Sequence, residues 1–249
     1  MRRSIGRGMA WGPAVVCSVF LASVAQAAPT TYTTHAAFLA ALPGSSQTLN
    51  FDSLAAGTLI PSGGVQGGIT FTYSISDVNG PLTMEVRNDF GTTSSPNYLG
   101  LNSVDGTFLN GDSFTMGFGS PVTALGLYVV TPRNQIDLAD DFELRATGSG
   151  TVQSSATADR FAPDPNGYNA YFLGLIDPAG FSQAQLVSDT GCDPSTGCQI
   201  VFNIDDITTG RSGASVPEPP TLVTLGLGLT GLARYAWRRR RVSRRMSGA

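Results

Sequence analysis

Ser113-Phe-Thr-Met-Gly-Phe118, followed after Gly-Ser-Pro by Val122 to Val130 (VTALGLYVV), carries the clearest structural signal in the chain. Phe114, Met116 and Phe118 alternate with small or polar residues, the period-two pattern of a strand with one face in a core. The second piece is rich in Val, Thr and Tyr, residues favoured in strands. On both sides the same signature recurs. Strands are expected at Thr48–Asp52, Ile69–Ile75, Leu82–Arg87, Tyr98–Leu101, Ser113–Phe118 and Ala124–Thr131, then at Phe142–Thr147, Thr151–Ala156, Ala170–Ile176, Ala184–Ser188 and Ile200–Ile207. Gly, Pro, Asn and Asp separate them. Many short strands with frequent turns predict a mainly β fold, an antiparallel β-sandwich. No internal repeat is sustained, which excludes a propeller or solenoid.

One helical pattern stands out within this region. In Thr33–Leu42 (TTHAAFLAAL), Thr34 is a candidate cap, Phe38, Leu39 and Leu42 form an apolar face, and Pro43-Gly44 stop the helix. His35, the only histidine, is expected to be an exposed residue near its start.

The two ends of the chain have a different character. Residues 1–27 read as a signal peptide: Arg2, Arg3 and Arg7 precede the apolar stretch Met9–Val24, and Ala25-Gln26-Ala27 supplies an A-x-A cleavage site for signal peptidase. At the other end, residues 214–220 contain Val216-Pro217-Glu218-Pro219-Pro220, an extended linker because proline lacks an N–H and restrains its predecessor. Residues 221–237 (TLVTLGLGLTGLARYAW) carry one charge, Arg234, and predict a transmembrane helix. Residues 238–249 are a basic tail in which Arg238, Arg239, Arg240 and Arg241 act as a stop-transfer signal that stays in the cytoplasm. Gly226-Leu-Gly228-Leu-Thr-Gly231 fits G-x-G-x-x-G, but prolines precede it and no acidic residue follows, so a dinucleotide site is rejected.

This three-part tail resembles the PEP-CTERM sorting signal of Gram-negative bacteria, with Val216, Pro217, Glu218 and Pro219 as the matching motif. The resemblance implies recognition by exosortase, a membrane cysteine transpeptidase. It further implies an inner-membrane tether with a periplasmic ectodomain, then transfer to the cell surface or extracellular matrix, often in association with exopolysaccharide and biofilm. The chain is then the sorting substrate and not the enzyme. Three stretches of the ectodomain are similar to the jelly-roll domains common in such proteins, which resemble lectin and carbohydrate-binding modules in outline. They are Phe38–Leu42 with Leu49–Asp52, Val122–Val130, and Ala170–Asp206.

Between Ala28 and Gly213, 17 Asp and Glu face 5 Arg and no Lys, a formal charge of 5 − 17 = −12. Such a surface disfavours nucleic acid and tolerates cations. Cys192 and Cys198 frame a tight, turn-rich loop and read as a local disulfide in an oxidising compartment. Asp205 and Asp206 end the last strand, and Asn50 and Asp52 lie around the first, its expected neighbour in a jelly roll. Their oxygens suit Ca²⁺, and a structural calcium ion is the sharpest site hypothesis. Asp137, Asp140, Asp141 and Glu143 form a second acidic cluster, read as a solvated loop.

Glycoside hydrolysis needs two carboxyls at set separations. Glu85 and Glu143 are the ectodomain's two glutamates, and nothing in the sequence brings them together. No nucleophile, metalloprotease or phosphate-binding motif occurs, so the chain is read as non-catalytic. Tyr73, Tyr98, Tyr128, Phe161, Tyr168, Tyr171 and Phe172 are available as sugar platforms, with core packing as their ordinary use. The expectation is an exported structural or adhesive protein linked to exopolysaccharide. The alternatives are a calcium-dependent carbohydrate-binding module and, behind it, a secreted glycan hydrolase.

Overall fold

The computed structural model describes residues 28–132, 141–153, 157–161, 167–188 and 200–212. The leader, the linker, the apolar segment, the basic tail and the Cys192–Cys198 loop lie outside them. In chain order the elements are β1 Thr30–Tyr32, α1 His35–Ala41, β2 Gly44–Leu49, β3 Leu59–Ile60, β4 Gly64–Gln66, β5 Ile69–Tyr73, β6 Ser76–Asp77, β7 Gly80–Pro81 and β8 Met84–Arg87. They continue with β9 Tyr98–Leu101, β10 Phe108–Leu109, β11 Ser113–Pro132, β12 Phe142–Ala146, β13 Thr151–Gln153, β14 Arg160–Phe161, β15 Tyr168–Ser188 and β16 Val201–Ser212. All the strand pairings are antiparallel.

Two long strands hold the architecture together. β11 and β15 pair from Ser113↔Val187 to Pro132↔Tyr168, with register shifts between Gly117 and Ala124. On one side of this irregularity β11 pairs with β5, and β15 with β12. On the other side β11 pairs with β16, β15 with β1, and β16 in turn with β2. Each long strand therefore serves both layers of the sandwich, where the sequence suggested two short strands apiece. Pro121 and Pro178 interrupt the chain near the shift, where the ladder is already irregular and a missing N–H is tolerated. Asp177 braces the bend in β15 by accepting the Ala179 N–H at 2.8 Å.

The burial pattern follows from this layering. The first part of β11 alternates, with Phe114 and Met116 buried, because one face meets the core. From Val122 to Thr131 every residue is buried. Leu125, Leu127 and Val129 face the main core with Leu173, Leu175, Ile204 and Ile207. Ala124, Tyr128 and Val130 face the other way, into a second cluster with Phe38, Phe172 and Ile176. The helix closes that outer face.

α1 sits on glycines. Gly126 pairs with Gly174 across β11 and β15. A Cβ on Gly126 would lie 2.5 Å from Phe172 Cζ and 3.0 Å from Phe38 Cε1, and one on Gly174 would lie 2.6 Å from Phe172 Cε1. The missing side chains make room for two rings. Of the predicted apolar face, Phe38 is fully buried and Leu42 packs on this second cluster, but Leu39 is exposed. Thr34 holds the cap position with extended backbone but makes no side-chain cap bond. Asp159, distant in sequence, does that work: its Oδ2 accepts the His35 N–H at 3.1 Å and the Tyr128 hydroxyl at 2.8 Å. His35 is not the exposed residue expected, since its ring packs 5.1 Å from Phe172 and 5.4 Å from Tyr128.

Candidate functional site

The site grows out of a bulge in β16. Thr208 pairs with Gly126 and Asp205 with Tyr128, so Asp206 and Ile207 together oppose Leu127 alone. Without the extra residue, strict alternation would send Asp206 into the core and Ile207 out. With it, Ile204 and Ile207 both reach the main core. The bulge needs a left-handed residue, and Asp206 adopts φ +48°, a conformation that Asp tolerates better than most. Asp205 is fully buried and Asp206 nearly so.

The loop Thr92–Asn97 folds over this pair. Asp205 Oδ2 accepts the backbone N–H groups of Thr93 and Ser94 at 2.8 and 2.9 Å. It also accepts the Thr93 hydroxyl at 2.9 Å and the Thr92 hydroxyl. Asp205 Oδ1 accepts the Asp206 N–H at 2.8 Å, and the Thr93 hydroxyl lies 2.7 Å from Asp206 Oδ2. Burial, and then the adjacent Asp206 charge, push the Asp205 carboxyl up to about 6, although the hydrogen bonds from the loop oppose the rise. Asn203, one residue pair back along β16, is completely buried and donates its Nδ2 to the Gly91 carbonyl at 2.7 Å.

The polar residues that follow β2 reach the other end of the same loop. Asp52 Oδ1 accepts the Asn97 N–H at 2.9 Å, and Asn97 Nδ2 donates to the Leu54 carbonyl at 2.8 Å. Asn50 Oδ1 accepts the Asp52 N–H at 3.3 Å. Between them Phe51 takes φ +62° and is buried in the main core. The structure thus joins Asp205 with Asp206 and ties Asp52 to the same loop from the far side. Among the described residues no three His, Cys, Asp or Glu side chains gather as a metal-binding group. Thr92, Thr93, Ser94 and Asn97 were not singled out in the sequence. Their run, TTSSPN, reads only as a turn, and no local spacing links it to residues more than a hundred positions later.

Other candidates are placed as follows. Glu85 pairs with Arg87 at 3.3 Å, and Glu143 pairs with Arg145. Of the second acidic cluster, Asp137 and Asp140 lie outside the described residues. Tyr98, Tyr128, Tyr171 and Phe172 are buried, while half-buried Tyr168 packs on Phe90 with ring centroids 4.4 Å apart.

Comparison with known proteins adds one firm assignment. Residues 215–241 match the PEP-CTERM protein-sorting motif. The match covers the tail, and it makes the chain an exosortase substrate that is exported and passes through a membrane-tethered stage before processing. No curated protein matches the sequence. The fold is similar to the crystal structure of the K2 cleaved adhesin domain of Lys-gingipain, at 11% identity and a TM-score of 0.39, covering 67% of this chain and 98% of that one. A likeness at that level carries nothing about ligands.

Proposed function

We propose that this sorted, exported protein is a non-catalytic structural or adhesive component of a polysaccharide-rich extracellular matrix, and that its β16 bulge takes up Ca²⁺ as a structural ion. The observation that carries the reading is the sorting motif at 215–241, which commits the β domain to export. The non-catalytic reading is supported by how the carboxylates are engaged. Both ectodomain glutamates are ion-paired with arginines, and Asp205 is occupied in holding a loop.

The calcium reading is supported by two adjacent carboxylates at a buried bulge, surrounded by hydroxyl oxygens of Thr92, Thr93 and Ser94. Hard oxygen donors of this kind suit Ca²⁺. The cation would offset both the burial of the Asp205 charge and its repulsion by Asp206, which together raise the Asp205 pKa. Asp205, Asp206 and Thr93 are the residues that would hold it.

The test is a thermal melt of purified residues 28–213 with EDTA and with added calcium, alongside elemental analysis. A lower Tm in EDTA, restored by calcium, is expected. An unchanged melt with no bound calcium would remove the ion from the proposal. A polysaccharide array on the same protein, with and without calcium, tests the wider role. Binding to one polysaccharide class that is lost on chelation would make this a carbohydrate-binding module. A blank array with a folded, monodisperse protein is the result expected of a structural matrix protein.

A further inference from the structure

A cavity of about 410 Å³ opens on a part of the domain that neither the bulge nor the sorting signal uses. Its wall is aliphatic, formed by Ile75, Leu82, Leu101 and Leu109. Its lips are Val78, between β6 and β7, and Val104, in the turn after β9, which are 100% and 96% exposed. Tight turns normally carry polar residues at their tips. Two valines in full contact with water, both at the lining of one largely aliphatic cavity, mark a surface that something covers.

Both lips are held in place. Asp77 Oδ1 accepts the N–H groups of Asn79 at 2.7 Å and Gly80 at 3.1 Å. Gly106 N–H donates to the Ser103 carbonyl at 3.2 Å, and Arg87 reaches the carbonyls of Leu101 and Ser103 at 3.4 and 3.3 Å. The cavity is therefore formed before any ligand arrives.

Its charged groups all call for a donor, beside the neutral Ser76, Asn79, Ser103 and Thr107. Asp77, Asp105 and Asp112 line it, and among the described residues no basic one does. Arg87, behind the lip, is paired with Glu85 and Asp89. Asp112 Oδ2 accepts the Leu109 N–H at 2.8 Å, and burial pushes this carboxyl upward. Thr107 also lines the cavity. It is only 3% exposed, and its hydroxyl has no hydrogen-bond partner, which is costly for a buried polar group.

We propose that this cavity is a docking site for a lysine side chain of a partner protein. A lysine has a four-carbon stem for the valines and leucines and a three-donor ammonium for Asp112 and Thr107. The chain contains no lysine, so the partner is a different polypeptide. An amino sugar fits less well, because among the described residues no aromatic ring lines the cavity to support a sugar face.

The test uses the full-length chain in detergent and a fluorescent, capped alanine–lysine peptide, with a norleucine counterpart that keeps the stem and lacks the charge. Saturable binding of the lysine peptide is expected, with about tenfold weaker binding for the norleucine peptide, about 1.4 kcal/mol. A similar loss is expected for Asp112→Asn, whose amide oxygen still accepts the Leu109 N–H. Thr107→Val and the pair Val78→Ser/Val104→Ser are expected to weaken binding without lowering the melting temperature, which separates docking from folding. Equal binding of both peptides, or parental affinity in all the variants, would overturn the proposal. So would binding of a glucosamine oligomer in place of the peptide, or concentration-dependent self-association that occupies the cavity through an arginine.

Discussion

Asp205 is the residue on which the loop over the bulge depends, and its protonation connects local geometry to stability. Its folded pKa, about 6, lies above the ordinary value of 3.8. Between those values the folded state binds more protons than the unfolded chain, so stability falls as pH rises. In calcium-free buffer the contribution is expected to be full below about pH 4 and to be lost through about pH 6. Its size is on the order of 3 kcal/mol, from two pK units at about 1.4 kcal/mol each. Chemical denaturation at a series of pH values checks this, with Asp205→Asn expected to flatten the profile across that window. Thr93→Val tests the clamp from the other side, because the Thr93 hydroxyl lies within hydrogen-bond reach of both carboxylates. A loss of about 1–3 kcal/mol is expected, and stability equal to the parent would show that the loop is held by its backbone N–H groups alone.

At the level of elements, the helix and its seat form one unit. Phe38 is completely buried against Phe172, with ring centroids 5.3 Å apart, over the Gly126–Gly174 pair. Phe38→Ala is expected to cost about 3–5 kcal/mol through lost burial and a residual cavity. Gly174→Ala forces a Cβ to within 2.6 Å of Phe172 and 2.9 Å of Phe38, and an overpacking cost of about 1–3 kcal/mol is expected. If both rings can swing aside, the denaturation midpoint of Gly174→Ala will not move. The long strands make a different prediction. β11 is paired on both sides over most of its length, so its amide hydrogens are expected to exchange among the slowest, with those of the terminal β1 faster.

Across the whole molecule, the β domain and the tail have separable roles. Replacing Pro217-Glu218-Pro219 with alanines is expected to leave a folded ectodomain in an unprocessed, membrane-held chain. Immunoblotting of membrane and surface fractions reads this directly, and normal release of the variant would contradict recognition through that motif. The acidic ectodomain and the arginine-rich ends also belong to this scale. Charge is divided along the chain by destination, with basic residues flanking the two apolar segments and acidic residues on the part to be exported.

Some of this was open to inspection from the residues alone. Local chemistry is enough to specify a period-two apolar pattern, one short helix within Thr33–Leu42 and a Pro-Glu-Pro tail. These features depend on neighbours in sequence. The proximity of the first expected strand, Thr48–Asp52, to the last was also legible, since β2, which overlaps it, pairs with β16. What lay beyond local reading depended on distant partners. Gly119-Ser-Pro121 and Asp177-Pro-Ala-Gly180 look like strand ends. Folding sets them near each other, with Val122 opposite Phe181, so that both strands bend together and continue into the second layer. Asp159 supplies the side-chain acceptor at the helix start, on the His35 N–H, because the tertiary fold brings its carboxylate there. Asp205 and Asp206 were visible as acidic residues, but the bulge that turns Asp206 away from the core beside Asp205, and the Thr92–Asn97 loop that receives them, arise only when β16 must align with β11 and still bury Ile204 and Ile207.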